Sequence, residues 1–150
     1  MADLRYEKIM IREYEEKDLS ELLDAWYSAS QIGHPFLDED FFEQERRNIP
    51  ALYLPNAETW VYDLDGVVVG FIALIGNEVG AIFVDSRFHG RGIGRALMDK
   101  ARSIRDVLEL DVFKDNLVGR KFYENYGFTR VNEHLHEETG FMQLRLRLDC

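Results

Sequence analysis

The chain has 150 residues, 46% of them apolar, which suits one domain spanning 1–150 with a core of its own. A formal charge of −10 speaks against nucleic acid as a partner, because binding to phosphate backbones is driven by clustered Lys and Arg. The single cysteine, Cys150, excludes an intrachain disulfide framework and a cysteine-built metal site; no run approaches the roughly 20 apolar residues of a membrane helix, and Met1 to Arg5 lack an apolar signal region, so a cytoplasmic protein with no membrane partner is expected.

In chain order, Ile9 and Ile11 alternate with Lys8 and Arg12 in a first strand. Leu19, Leu22, Leu23 and Trp26 then recur at helical spacing and predict a helix from Asp18 to about Ser30. Gly33 and Pro35 mark 31–36 as a loop, and a second helix is predicted from Asp38 to Asn48. Thr59–Tyr62 and Val67–Ile75 read as a hairpin joined through Asp65-Gly66. After a turn at Gly76-Asn77, the apolar run Val79–Val84 predicts a central strand covered on both faces. A helix from Gly92 to Ser103, a strand Val107–Phe113, a helix Asn116–Tyr126 ended by Gly127, and strands Phe128–His134 and Phe141–Leu148 complete the chain. The order β-α-α-β-β-β-α-β-α-β-β implies an α/β domain of mixed type, with helices on the faces of a mixed sheet.

Between the strand at Val84 and the helix at Gly92 lies the glycine-rich turn His89-Gly90-Arg91-Gly92-Ile93-Gly94. Amides at a helix start lack intrahelical partners and carry the positive end of the dipole, so this turn is suited to a pyrophosphate. It is not a P-loop, since Gly94 is followed by Arg95 and Ala96 where Lys and Ser or Thr are required. A dinucleotide fingerprint is approached by Gly92, Gly94 and Asp111 but fails at Leu97, where Gly or Ala is wanted. His134 and His136 alternate beside Glu137 and Glu138 without the further ligand spacing of a zinc site, and no metal is expected.

The turn resembles Arg/Gln-x-x-Gly-x-Gly/Ala, the acetyl-coenzyme A signature of the GNAT superfamily of N-acetyltransferases. Asn116-Leu117-Val118-Gly119-Arg120-Lys121-Phe122-Tyr123, followed by Gly127-Phe128, is similar to the family's second signature, Asn-x-x-Ala-x-x-Phe-Tyr with Gly-Phe. His89 stands where the family usually has Gln or Arg, and Gly119 where it has a small helix-forming alanine. The resemblance covers essentially the whole chain and implies an acyl-CoA acyltransferase fold, a mostly antiparallel sheet flanked by helices.

The resemblance further implies acetyl-CoA as co-substrate, its pyrophosphate on the amides of His89, Gly90, Arg91, Gly92, Ile93, Gly94 and Arg95, with Arg91 or Arg95 adding charge. It places the pantetheine arm beside Phe83 and Val84 and gives Asn116 a cofactor contact; from the residues alone, Asn116 reads as a helix N-cap. Tyr123 is implied as the general acid that protonates the departing thiolate. Glu78, fourteen residues before Gly92, resembles the catalytic glutamate of the histone acetyltransferase branch, and His34 is the rival base. Gly33-His34-Pro35-Phe36, Trp60 and Glu137 to Gly140 resemble small bacterial members, some of which modify protein lysines. The expected activity is transfer of acetyl to a primary amine, on a peptidyl lysine, an N-terminus or a small molecule. The alternatives are a noncatalytic acyl-CoA sensor and a nicotinamide-dependent oxidoreductase. Oligomeric state is left open, a homodimer being one option.

Overall fold

The computed structural model describes residues 7–150; the segment Met1 to Arg5 read above for a signal region lies outside them. The elements are β1 (Ile9–Glu13), α1 (Leu19–Gly33), α2 (Glu39–Asn48), β2 (Glu58–Leu64), β3 (Val67–Ile75), β4 (Glu78–Val84), α3 (Ile93–Ser103), β5 (Val107–Phe113), α4 (Leu117–Tyr126), β6 (Thr129–His136) and β7 (Phe141–Asp149). They build a seven-stranded sheet in the order β1-β2-β3-β4-β5-β7-β6. Every neighbouring pair is antiparallel except β4 and β5, so the sheet is mostly antiparallel, as the sequence suggests. No helix among the described residues is long and apolar enough to cross a membrane.

Two sequence expectations need correction, and one stretch the sequence left unassigned is filled in. The first helix does not stop at Ser30 but runs on through Gly33, because Gln31 and Ile32 keep the helical ladder going until His34, whose amide bonds Ser30 O at 2.7 Å. After α2 the backbone continues through a wide π-type turn at Ile49–Tyr53 and a short 3-10 turn at Leu54–Asn56; Pro50, which has no N–H, cannot extend the α-helical ladder. The strand covered on both faces is β3, buried from Val68 to Leu74, whereas in β4 only Val79 is fully buried.

The reason lies between β4 and β5. The two strands share a single bridge, Glu78 opposite Glu109, supported by the Glu109 amide on Asn77 O at 2.9 Å. Beyond it they part. Gly80 is the extra residue of a bulge against β3, where Ala73 faces Ala81 but Leu74 faces Val79, and bulges bend the strand that carries them. The closed end of the fork is held by Arg145 of β7, whose guanidinium takes both carboxylate oxygens of Glu78 at 2.7 and 2.5 Å and lies 3.6 Å from Glu109 and 3.4 Å from Asp111.

Apolar residues pack on both sides of this split sheet. On one side α3 buries Ile93, Leu97, Met98 and Ala101 against Ile72, Leu74, Leu108, Leu110 and Leu146. On the other, Leu22 and Trp26 of α1 and Phe42 of α2 pack on Val61, Val68 and Phe71. α4 spans the fork's open end: Asn116 lies against Gly33 of α1, and Phe122 lies over Gly94 of α3, where a Cβ would come within 3.3 Å of the ring.

Arg145 lies among three carboxylates at the closed end of the fork, with Arg147 a further 3.8 Å partner of Glu109 alone. Arg145→Gln is therefore expected to lower unfolding stability by about 1–3 kcal/mol at neutral pH, measured by urea denaturation, with a smaller loss at high salt as screening relieves the unpaired carboxylates.

Candidate active site

The strand-to-helix connection is built to leave amides free. Asp85, 5% exposed, caps the short turn after β4 by accepting from the Arg87 amide at 3.0 Å and from the Arg87 guanidinium at 2.9 Å; that ion pair holds its carboxyl below the usual range. Gly90 and Gly92 then adopt φ of +80° and +79°, the left-handed region where a Cβ is strained, and Gly92 is the N-cap of α3. From Gly90 to Arg95 no amide has a backbone partner among the described residues, and these N–H groups sit at the positive end of α3. His89 differs from expectation: its amide is engaged by Ser86 O at 3.4 Å, and its ring Nε2 bonds Val84 O at 2.7 Å. Arg91 and Arg95 stay exposed, stacked over Phe88 and Tyr126.

Along β4, the hydrogen-bonding direction alternates. Asp85 N bonds Val69 O at 2.8 Å, so with Phe71 opposite Phe83 and Ala73 opposite Ala81, the backbone groups of Phe83 and Ala81 point to β3. Ile82 and Val84 turn theirs to the gap left by β5. Of the two residues expected to offer backbone bonds, Val84 is placed to do so and Phe83 is not; Ile82 takes its place. Phe83 instead contributes its ring, 5.8 Å from Phe71 and 6.4 Å from His34.

The gap opens into a cleft of about 900 Å³, at the upper end of the range for ligand sites. It runs from the glycine turn, along β4, to a lobe between α1, α2 and the β6–β7 turn. Tyr123 lines its middle; burial pushes the phenol's pKa up, so the hydroxyl keeps its proton. His34 lines the same stretch among the rings of Phe36, Phe83 and Phe113, and burial lowers its pKa to about 4. Its Nε2 lies 3.2 Å from Nδ2 of Asn116, whose Oδ1 accepts the Gly119 amide at 2.9 Å. Asn116 is thus the N-cap that its residue type suggests, with both ends of its amide already bonded to protein.

Glu78 is placed elsewhere. It is absent from the cleft lining, and its carboxylate is bidentate to Arg145 at the closed end of the fork. Trp60 is on β2 and bonds Glu58 at 2.9 Å, also away from the cleft. His134 is drawn to Asp111 and Gln143, while His136 bonds Thr139 at 2.7 Å and faces the cleft; no three His, Cys, Asp or Glu side chains converge as metal ligands among the described residues.

Residue patterns alone did not single out Ser30, Glu45 or Tyr53. Ser30 is 1% exposed, lines the cleft, and its Oγ has no hydrogen-bond partner among the described residues. Tyr53, carried by the π-type turn, donates to Glu45 at 3.2 Å. Burial raises the Glu45 carboxyl, and Glu138 from the β6–β7 turn raises it further. Glu45 and Glu138 together make the far lobe acidic, with Tyr53 a neutral donor beside them.

A free-amide turn, an unpaired strand edge and a half-buried phenol arranged along one cleft define an acyl-thioester transferase site. Comparison with known proteins agrees: residues 55–130 match the Acetyltransferase (GNAT) domain. The peptidyl-lysine N-acetyltransferase YiaC of Escherichia coli is 33% identical over 131 residues, 87% of this chain and 90% of that protein. The solution structure of apo-form YjaB from Escherichia coli covers 93% of this chain and 97% of its own, with a TM-score of 0.83 and 26% identity. The PaiA N-acetyltransferase of Thermoplasma acidophilum, solved in complex with coenzyme A, has the same fold at a TM-score of 0.72 and 20% identity, over 95% of this chain and 99% of that one. The chain belongs to the GNAT acetyltransferases and is an acetyl-CoA-dependent N-acetyltransferase.

His34 ties the site to pH. An unfolded chain's histidine takes up a proton near 6.5, whereas in the fold His34 resists it down to about 4, so the unfolded state binds more protons in that window and stability falls as pH drops through it. Thermal unfolding followed from pH 7 to pH 4 is expected to show a steeper decline for the wild type than for His34→Asn.

Proposed function

We propose that this enzyme acetylates a cationic primary amine, foremost the side chain of a peptidyl lysine, by direct attack on acetyl-CoA. What carries the reading is the order of features along one cleft: pyrophosphate amides at one end, Tyr123 in the middle, and a lobe with Glu45 and Glu138 at the other. The names of YiaC and YjaB as peptidyl-lysine N-acetyltransferases support the acceptor class, and the coenzyme A held by the Thermoplasma relative supports the donor. An acyl-CoA donor belongs to the cytoplasm, which supports that location.

The residues fit the donor. Gly90 to Arg95 would hold the pyrophosphate by backbone amides, with the exposed Arg95, and Arg91 on leaving Glu7 3.9 Å away, adding charge-assisted contacts. The edge of β4 at Ile82 and Val84 would bond the pantetheine arm as an added strand does, although Val84 O must first release His89. Acetyl-CoA supplies an activated thioester carbonyl.

Acetyl transfer forms an N–C bond and breaks the C–S bond. The acidic lobe draws in the acceptor's ammonium, whose ordinary pKa near 10.4 requires it to lose a proton before attack. That proton passes to water at the Glu45 and Glu138 end; Glu78 is occupied in the framework, and its pairing with Arg145 supports giving it no part in the chemistry. Free amides of the β4 edge stabilise the oxyanion of the tetrahedral intermediate. Tyr123 gives its proton to the departing thiolate and regains one from solvent before the next cycle.

Incubation with isotopically labelled acetyl-CoA and a library of lysine peptides, polyamines and amino acids tests the reading. Label on the lysine ε-nitrogen supports it, while binding of acetyl-CoA without transfer to any amine would indicate a sensor instead. Tyr123→Phe is expected to lower kcat by about 10²–10⁴ with coenzyme A affinity nearly unchanged, measured by steady-state kinetics and calorimetry. The double variant Glu45→Gln, Glu138→Gln is expected to raise KM for lysine peptides about three- to tenfold at low salt, and the difference should shrink as ionic strength rises.

A further inference from the structure

Asn116 is seated between two glycines. A Cβ on Gly119 would lie 2.5 Å from its Nδ2, and one on Gly33 would lie 3.1 Å from its Oδ1. Gly119 is the position where the family signature has alanine, so the residue that departs from the pattern is the one that lets Asn116 lie where it does.

The hydrogen bonds then fix a tautomer. The Gly119 N–H can only donate, so the atom it meets at 2.9 Å is the amide oxygen of Asn116. The other end, 3.2 Å from Nε2 of His34, is therefore the NH₂ group, which can only donate as well. Nε2 must accept, and the single proton of the neutral ring sits on Nδ1. Nδ1 has no protein partner among the described residues, yet it is not one of the sealed polar atoms without partners, which are Ser30 Oγ and Thr59 Oγ1. It opens on the cleft that His34 lines.

We infer that Asn116, held between Gly33 and Gly119, locks His34 as the neutral Nδ1-protonated tautomer, so that His34 acts in acetyl transfer as a hydrogen-bond donor to a substrate carbonyl oxygen and not as a proton acceptor. Asn116 is the positioning residue, and His34 is the group that meets substrate. The ring's only lone pair is already bonded, which removes the means by which it would act as a base. The surroundings agree. Phe36, Phe83 and Phe113 pack round the ring, and His136 packs on Phe113, 5.3 Å from that ring. No carboxylate contributes to holding a charge on His34, and its depressed pKa comes from burial alone.

The role in catalysis rests on the acetyl-transfer reading above, but the tautomer does not, and it is measured without substrate. Nitrogen-15 NMR of the His34 ring in the intact protein is expected to show a protonated Nδ1 and a bare Nε2 at neutral pH. Asn116→Asp keeps the helix cap, since a carboxylate oxygen still accepts the Gly119 amide, but presents an acceptor to Nε2 and should move the proton there. With labelled acetyl transfer as the readout, Asn116→Asp is expected to lower kcat about tenfold or more, the scale of one lost hydrogen bond.

Two further variants separate donor from base. The asparagine amide N–H falls near the position of Nδ1, and the glutamine amide N–H near that of Nε2. Both variants should lower kcat, His34→Gln about tenfold more than His34→Asn, which keeps a donor where Nδ1 was. A wild-type ring protonated on Nε2, or equal losses in His34→Asn and His34→Gln, would overturn the inference. Failure of transfer to every amine with the Nδ1 tautomer intact would overturn the activity reading instead.

Discussion

Two parallel strands that meet once and then separate determine everything the site can do. In an ordinary sheet the backbone groups of Ile82 and Val84 would be consumed by a neighbour on β5. Here the bulge at Gly80 bends β4 away after the Glu78–Glu109 bridge, so a run of polar backbone lies at the centre of the sheet with no partner among the described residues, apart from the Val84 carbonyl covered by His89. Such groups are costly when buried and unpaired, so the fold leaves them beside a cleft where water or a ligand can reach them. Arg145 keeps the separation to one end. Its four-way contact with Glu78, Glu109 and Asp111 ties β4, β5 and β7 together at the base of the fork, and α4 crosses the open end.

The cleft has an electrostatic direction. Its entrance at α3 offers N–H groups and two exposed arginines to an anion; its far lobe offers carboxylates to a cation. Between them the side chains are held neutral. Tyr123 keeps its proton because burial disfavours the phenolate, and His34 stays uncharged because burial disfavours the imidazolium. A donor and an acceptor of opposite charge are thereby oriented toward each other, and their reacting atoms meet beside the uncharged Tyr123 and His34. On a chain of net charge −10, the anion site has to be made locally, from backbone dipoles, because the field of the whole molecule opposes it.

The sequence carries the loop chemistry plainly, since glycines at 90 and 92 and the missing Lys-Ser/Thr after Gly94 are local facts about backbone freedom and side-chain type. It also carries most element positions, because the periodicities of α1, α3 and β3 are strong. It does not carry the fork. Val79–Val84 is as apolar as a doubly buried strand, and only the tertiary arrangement reveals that its apolar side chains line a cleft while β3 takes the buried place. Glu78 likewise looks like any exposed turn carboxylate until Arg145, 67 residues away, is folded against it. Phe83 and Ile82 could be told apart only by knowing the hydrogen-bonding parity of β4 with β3. Ser30 and Tyr53 carried no signal of their own, one being a small residue on a helix and the other lying in a turn whose π-type geometry Pro50 imposes.

Amide hydrogen exchange of the whole protein with and without coenzyme A tests the central claim most directly. Exchange at Ile82, at Val84 and from Gly90 to Arg95 should slow when coenzyme A is added, while the amides of Phe83 and Ala81, already paired with β3, should change little. Binding confirmed by calorimetry with no slowing at the β4 edge would contradict the account, because the fork would then not be the donor's seat.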